Sequence, residues 1–261
     1  SIAKLFLSGY IPGIGYGLAL MVVTWIIAKQ RNYPTHEPFS FKNVVVRLLR
    51  AWVALLIPIT IVGGIVGGVF TPTEGAAVTA SLSLIAALVI YRGMSISDLP
   101  SAMITVARRS ANVLLLLGIS SVFSHYLITQ EIPQGFAKLI ISWGLPGWQV
   151  IFVIIVFLVI CGTFLHGSPM VLMMTPIFLP LIDTIGMDRV HFGLVFIFCI
   201  CIGEQTPPVA SVLLTTCGVT NFPITKAWSA SIPWFALLFC FTLMIAYVPE
   251  ISLFLPNLFL G

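Results

Sequence analysis

The chain has 261 residues, of which 59% are hydrophobic and only 8% are charged, and its mean hydropathy is +1.12. Soluble domains carry about 25% charged residues, so this composition excludes an ordinary soluble globular protein and predicts an all-α polytopic membrane protein. The formal net charge is +4, but no basic face accompanies the Lys and Arg residues, so no nucleic-acid partner is expected.

Residues 1–40 are predicted to hold the first membrane helix, at about 11–28, and a polar, proline-bearing connection. Loops rich in Lys and Arg face the cytoplasm in membrane proteins. The connection is therefore expected to be cytoplasmic, because five basic residues cluster in and around it: Lys29, Arg31, Lys42, Arg47 and Arg50.

Residues 41–145 are predicted to form an interfacial arm helix and scaffold-type membrane helices. At 41–52 basic residues lie among apolar ones, which is typical of an amphipathic helix in the membrane interface; a plain anchor at a helix end fits equally well. The sequence TPTEG breaks the apolar run 54–91, so two segments or one sharply broken helix is expected. Thr73 is predicted to help restart the helix, and Glu74 is more readily a capping residue than a functional one.

Two further spans are predicted, at about 113–128 and 227–248. A short polar connection is expected after the first span, at 131–138. A proline-punctuated tail is expected after the second, so that residues 222–261 form a C-terminal membrane helix and tail.

Residues 146–221 form the predicted transport-type region, which begins with two apolar runs, 150–165 and 170–182. Each run is too short to span a bilayer comfortably, and the sequence GTFLHGSP joins them. This pattern predicts a re-entrant helical hairpin whose tip stops near the middle of the membrane. For His166 a substrate or proton role and a satisfied polar histidine are equally expected. The candidate binding residues at the tip are Gly162, His166, Gly167, Ser168 and Pro169.

The same region ends with an apolar run, 192–221, that GEQTPP interrupts. Proline lacks the N–H of a helical hydrogen bond and clashes with the preceding turn, so the helix is expected to unwind and free backbone carbonyls. Non-helical backbone at membrane depth survives only where it is buried in protein or lines a cavity. The candidate sodium- and substrate-binding residues of this broken helix are Gly203, Glu204, Gln205, Thr206, Pro207, Pro208 and Ser211.

Freed carbonyls suit a hard cation such as Na⁺, because they supply oxygen ligands without charge. The predicted Na⁺ ligands are Gly203, Thr206 and hairpin-tip carbonyls near Gly167, and no organic cofactor is expected. Helix N-termini after Pro169 and Pro208 would attract an anion. The alternative is that both breaks are packing kinks.

Glu204 is the only acidic or basic residue in its apolar run. Intramembrane carboxylates are costly and usually functional. Glu204 is therefore expected to coordinate a cation, carry a proton or pair with a basic group on another chain, with a purely structural hydrogen bond as the alternative.

Signatures of catalysis and of disulfide chemistry are absent from the sequence. HExxH, GxSxG and GxxxxGK[ST] do not occur, so the chain is not expected to be an enzyme. The five cysteines include no CxxC pair, which argues against a disulfide framework and a zinc site. A membrane-embedded enzyme and a purely structural membrane subunit remain as alternatives from other classes.

The runs GGIVGGVFTPTEGAA (63–77), PIFLPLIDTIGMDRVHFGLVF (176–196) and TPPVASVLL (206–214) resemble the large membrane (M) subunit of tripartite ATP-independent periplasmic (TRAP) transporters. The likeness runs over nearly the whole chain in the same order. Such subunits resemble elevator-type transporters built from two inverted repeats, each with a re-entrant hairpin and a broken helix. The chain is therefore similar to one transporter half, the C-terminal repeat, and the N-terminal repeat is an expected partner.

The resemblance implies sodium-coupled uptake of an organic acid anion across the bacterial inner membrane. Besides the lipid bilayer, it implies a periplasmic substrate-binding (P) protein and a small four-helix membrane (Q) subunit as partners. In the elevator mechanism the hairpin and broken helix would move with Na⁺ and substrate, while the arm-bearing scaffold stays fixed. A sodium/carboxylate symporter that needs no binding protein is the alternative.

Two departures from the family pattern bear on the substrate. The hairpin reads FLHGSP where the family pattern is close to FLDPTA, and Glu204 and Gln205 precede TPP where the family often has aliphatic residues. Both departures add polar groups beside the expected substrate cavity. We therefore expect a hydroxylated acid, such as a sialic or other sugar acid, rather than a plain dicarboxylate.

Overall fold

The computed structural model describes residues 1–33 and 40–261, and of Arg50 the backbone alone. The described residues form helices and short turns, with no β-strand among them. Five of the described helices are long and apolar enough to cross a membrane, or six if the bent pair Phe41–Leu49 and Trp52–Val66 is one span. The prediction of an all-α polytopic membrane protein is confirmed. Residues 34–39 of the predicted cytoplasmic connection lie outside the described residues.

The chain divides into two compact units, Ala3–Ile27 with Asn112–Gly261, and Ala28–Ala111. The four-part division expected from the sequence stays a prediction. The first unit begins with helices α1 (Ile2–Ser8) and α2 (Tyr10–Gln30). The first predicted span therefore starts close to the expected residue, and a short helix that the sequence did not indicate precedes it.

Among the described residues of the unit 28–111, α3, α4 and α5 come ahead of two short turns. α3 (Phe41–Arg50) has exposed side chains at residues 41–49 and is a short separate helix, as the predicted arm requires. The break at TPTEG separates α4 (Trp52–Val66) from α5 (Pro72–Ile85), as expected. A π-helical turn (Ala86–Ile90) and a 3-10 turn (Ile96–Asp98) follow.

Thr71, and not Thr73, caps the start of α5. The Thr71 hydroxyl accepts a hydrogen bond from the Glu74 N–H (3.4 Å), and the Glu74 carboxylate accepts one from the Thr71 N–H (2.8 Å). This reciprocal pair satisfies two N–H groups that have no partner within the helix. The hydroxyl of Thr73 contacts that of Thr71 instead. The prediction for Thr73 was therefore wrong, and the capping role of Glu74 is confirmed.

Helical structure extends further than the sequence predicted. α6 (Leu99–Thr129) is longer than the expected span and includes Arg108 and Arg109. α7 (Ile132–Ser142) takes the place of the polar connection expected at 131–138. The reason is positional, because Pro133 lies in the first turn of α7, where a helix tolerates proline.

Six helices follow α7, and α10 is central among them. α10 packs against α8, α9, α12 and α13. α13 occupies the segment that was predicted as a tail, again with a proline, Pro249, in its first turn. The helices are α8 (Gly147–Gly162), α9 (Gly167–Thr184), α10 (Arg189–Gly203), α11 (Ser211–Thr220), α12 (Ile224–Tyr247) and α13 (Pro249–Leu260).

A cluster of aromatic rings forms part of the core between these helices. The Phe178 side chain is fully buried, and its ring centroid lies 5.7 Å from those of Phe136 and Phe157 and 6.3 Å from that of Phe192. Aromatic pairs at such distances add to the stabilisation from burial. The cluster ties α7, α8, α9 and α10 together.

Candidate functional site

α8 and α9 form the predicted helical hairpin, with residues 163–166 as its turn. The two helices contact each other away from the turn, since the ring centroids of Phe157 on α8 and Phe178 on α9 lie 5.7 Å apart. α9 has 18 residues and the length and composition of a membrane span, so the second run is longer than the sequence predicted. The re-entrant course of the hairpin stays a prediction.

The predicted break separates α10 from α11 and comprises residues 204–210. Pro207 and Pro208 have no N–H to continue a helix, and Ala210 adopts the left-handed region with a φ of 48°. The carbonyl groups of residues 205–209 accept no hydrogen bond from any residue that the structure describes, and neither do those of residues 162–165, at the end of α8 and in the hairpin turn. Two groups of free backbone oxygen atoms result.

Gly162 at the end of α8 and Gly203 at the end of α10 bring the hairpin and the broken helix into backbone contact. A Cβ atom added to Gly203 would lie 2.5 Å from Gly162 Cα, and one added to Gly162 would lie 3.1 Å from Gly203 Cα. Both glycines are buried. Small residues permit such close approach of helices in membranes, and here they place the two breaks side by side.

Glu204 connects the two breaks through its side chain. Its Oε1 atom accepts a hydrogen bond from the N–H of Gly167 (2.7 Å) and lies 2.9 Å from Nδ1 of His166. A carboxylate is favoured at this position because the N–H groups in the first turn of α9 have no partner within the helix and carry partial positive charge. The structure thus contains the hydrogen bond that the sequence analysis gave as the alternative for Glu204. Cation coordination, proton transfer and pairing with another chain stay predictions.

Only one of the two helix N-termini lies where the sequence indicated. α9 starts at Gly167, before Pro169, and α11 starts at Ser211, after Pro208. The predicted start after Pro208 is confirmed, whereas the predicted start after Pro169 was wrong, because Pro169 fits within the first turn of a helix. The N-terminus of α9 is filled by the protein's own carboxylate.

The remaining predicted site residues differ in their hydrogen bonds and in their exposure. Thr206 donates its hydroxyl hydrogen to the Ile202 carbonyl (2.6 Å), and Gln205 donates its amide hydrogen to the Cys201 carbonyl (3.0 Å). Both side chains therefore keep an oxygen atom available for a ligand. Ser168, Pro207 and Pro208 are exposed, Ser211 is half-buried and Pro169 is buried.

A cavity of about 670 Å³ opens beside the break, between α2, α11 and α12. Gln205 lines it, but most of the lining comes from residues that the sequence analysis did not single out. Among these, Tyr16, Thr216, Thr220 and Ser231 carry hydroxyl groups. The spacing of Thr216 and Thr220, which puts them on one face of α11, is the pattern that would have indicated them.

Neutral oxygen atoms are the main ligands that this site offers. Within the part of the chain that the structure describes, no group of three or more His, Cys, Asp or Glu side chains is placed to hold a metal ion. Carbonyl and hydroxyl oxygens bind hard cations, and two groups of free carbonyls lie at adjoining breaks. The arrangement can therefore serve a monovalent cation better than a multivalent one.

The sequence matches the family model of the tripartite ATP-independent periplasmic transporter, DctM component, over residues 1–251. The C4-dicarboxylate TRAP transporter large permease protein DctM of Pseudomonas aeruginosa is 35% identical, over 98% of this chain and 60% of the relative. The sialic acid TRAP transporter large permease protein SiaM of Vibrio cholerae is 32% identical, over 100% and 61% respectively. The isethionate TRAP transporter permease protein DctMQ of Oleidesulfovibrio alaskensis is 32% identical, over 97% and 40%.

The chain spans about three fifths of the length of the Pseudomonas and Vibrio relatives. The match confirms the resemblance drawn from the three sequence motifs. It also confirms the prediction that the chain is not an enzyme, because the family consists of transporter components. The chain belongs to the DctM family, the large membrane subunits of TRAP transporters.

Proposed function

We propose that the chain is part of a secondary active transporter that couples the uptake of an organic acid anion to Na⁺. The observation that carries the proposal is the contact between two helix breaks, the hairpin turn and residues 204–210, within apolar helices. Secondary transporters build ion and substrate sites from such breaks. The names of the relatives support the substrate class, since C4-dicarboxylates, sialic acid and isethionate are all organic acid anions.

The proposed Na⁺ site draws oxygen atoms from both breaks: Gly203, Thr206 and carbonyls of the hairpin turn near Gly167. The Gly203 carbonyl accepts a hydrogen bond from the Thr206 N–H (2.9 Å) and keeps a second lone pair for a cation. In a medium of low dielectric constant, a cation beside the substrate offsets the charge of the anion. Na⁺ binding therefore favours substrate binding.

The proposed mechanism is of the elevator type. The hairpin and the broken helix would move together with Na⁺ and substrate, while the scaffold that bears the arm helix stays fixed. The backbone contact between Gly162 and Gly203 supports joint movement, because close-packed segments transmit displacement instead of deforming.

Within the substrate class, we propose a hydroxylated acid, such as a sialic or other sugar acid. Glu204 is engaged by Gly167 and His166, so the support now comes from the exposed Ser168 and from Gln205, which lines the cavity. Both can hydrogen-bond a substrate hydroxyl. Competition binding with sialic acid, succinate and malate tests this choice, and a preference for succinate or malate would contradict it.

The proposed partners are a periplasmic substrate-binding protein, a small four-helix membrane subunit and an N-terminal repeat, in the bacterial inner membrane. The family description supports the periplasmic partner. The name DctMQ of the Oleidesulfovibrio relative supports a companion membrane component.

Uptake by proteoliposomes that hold the complete transporter tests the proposal. An imposed Na⁺ gradient is compared with none, each with and without the binding protein, and uptake that needs both is the expected result. Uptake with Na⁺ alone would favour the alternative, a sodium/carboxylate symporter that works without a binding protein. Absence of uptake in every condition would favour a structural subunit.

A further inference from the structure

Glu204 joins three helices at the point where the breaks meet. Its N–H donates to the Ile200 carbonyl of α10 (2.9 Å), and its own carbonyl accepts from the N–H of Val212 in α11 (3.1 Å). Its carboxylate binds the start of α9, 37 residues earlier in the chain. One residue therefore holds the end of α10, the restart of the broken helix and the hairpin turn.

The residues around the Glu204 carboxylate leave room for its hydrogen bond to the Gly167 N–H. A Cβ atom on Gly167 would lie 3.3 Å from Glu204 Oε1 and 3.1 Å from Cγ2 of Ile200, so the absence of a side chain at Gly167 lets the carboxylate reach the backbone N–H. The Glu204 side chain is 15% exposed, whereas that of His166 is 62% exposed. Because Glu204 is largely shielded from water, its hydrogen bonds are stronger than those of an exposed pair.

We propose that Glu204 is a positioning residue of the transport site and not a ligand of the cation. Its carboxylate holds the hairpin turn against the break and thereby sets the spacing between the two groups of free carbonyl oxygens, at residues 162–165 and 205–209. The consequence for Na⁺ binding rests on the proposed function, since those oxygens include the proposed ligands. The holding of the hairpin turn does not depend on that function.

The first test measures Na⁺-dependent uptake by the complete transporter in proteoliposomes. Glu204→Ala is expected to raise the Na⁺ concentration at half-maximal uptake about tenfold, the factor that corresponds to one charge-assisted hydrogen bond, with a smaller effect at saturating Na⁺. Glu204→Gln should lie between wild type and Glu204→Ala, because its amide oxygen still accepts from the Gly167 N–H. In a double variant, His166→Ala should not raise the half-maximal Na⁺ concentration beyond that of Glu204→Ala alone. Equal half-maximal Na⁺ concentrations for wild type and Glu204→Ala would overturn the effect of Glu204 on the Na⁺ site.

The second test does not require transport. A nitroxide label at Phe164→Cys, a turn position that is 62% exposed, reports the mobility of the hairpin turn, and a label at Val219→Cys, 79% exposed on α11, is the control. The native cysteines are replaced in both cases. Glu204→Ala should increase the mobility of the label at position 164 and leave that at 219 unchanged.

The two tests distinguish the positioning role of Glu204 from the proposed Na⁺-coupled transport. Unchanged label mobility at position 164 would overturn the positioning role, whatever the uptake shows. Increased mobility together with a wild type that shows no Na⁺-dependent uptake would support the positioning role and refute the proposed function.

Discussion

Replacement of Gly203 by alanine should force the broken helix away from the hairpin. The added Cβ would lie 2.5 Å from Gly162 Cα and 2.9 Å from the Gly162 carbonyl oxygen, whereas ordinary van der Waals contacts are 3.4–4 Å. Both opposing atoms belong to the backbone, so no side-chain rotation relieves the overlap. The Gly162 carbonyl carbon lies closer still, so the helices must separate by about 1 Å to restore an ordinary contact.

Overpacking of this kind costs about 1–3 kcal/mol. With a net cost of about 2 kcal/mol and a fall of about 2–4 °C per kcal/mol for a chain of this size, we expect the melting temperature to drop by roughly 4–8 °C. Gly162→Ala should have a smaller effect, because its Cβ would lie 3.1 Å from Gly203 Cα. Gly218→Ala in α11 is the matched control, since nothing lies within 4 Å of an added Cβ there.

The melting temperatures of wild type and the three glycine variants are measured on the purified transporter in detergent. Samples are heated, and size-exclusion chromatography shows how much folded protein remains. The expected melting temperatures rise from Gly203→Ala through Gly162→Ala to Gly218→Ala, which should equal or exceed wild type because alanine favours a helix. Equal melting temperatures for the variants at 203 and 218 would refute the close backbone contact.

Two further predictions concern the rest of the chain. Thr71→Ala should speed amide hydrogen exchange in the first turn of α5, because it removes the capping hydroxyl, whereas Thr73→Ala should not; equal exchange in both variants would contradict the assigned cap. Phe178→Ala should destabilise the protein by about 3–5 kcal/mol, because it leaves a cavity in the aromatic cluster. Phe254→Ala, at a 59% exposed position, is its control and should melt within about 1 °C of wild type.

Local backbone chemistry explains which helices could be predicted. Breaks were expected at 162–169 and 203–208 because glycine and consecutive prolines act on the turn that contains them, and the structure has them at 163–166 and 204–210. The same residues misled the prediction at α7 and α13, where Pro133 and Pro249 lie in first turns. A proline ends one helix and starts another equally well, and its position alone does not decide between them.

The sequence by itself determined the class of this protein through its overall hydropathy, its family through three motifs, and the approximate positions of both breaks through glycine and proline, which act locally. The tertiary structure decided the partner of Glu204, the contact between Gly162 and Gly203 and the cavity beside Gln205. These features join residues far apart in the chain. Their geometry depends on how α8, α9 and α10 pack, which no local pattern encodes.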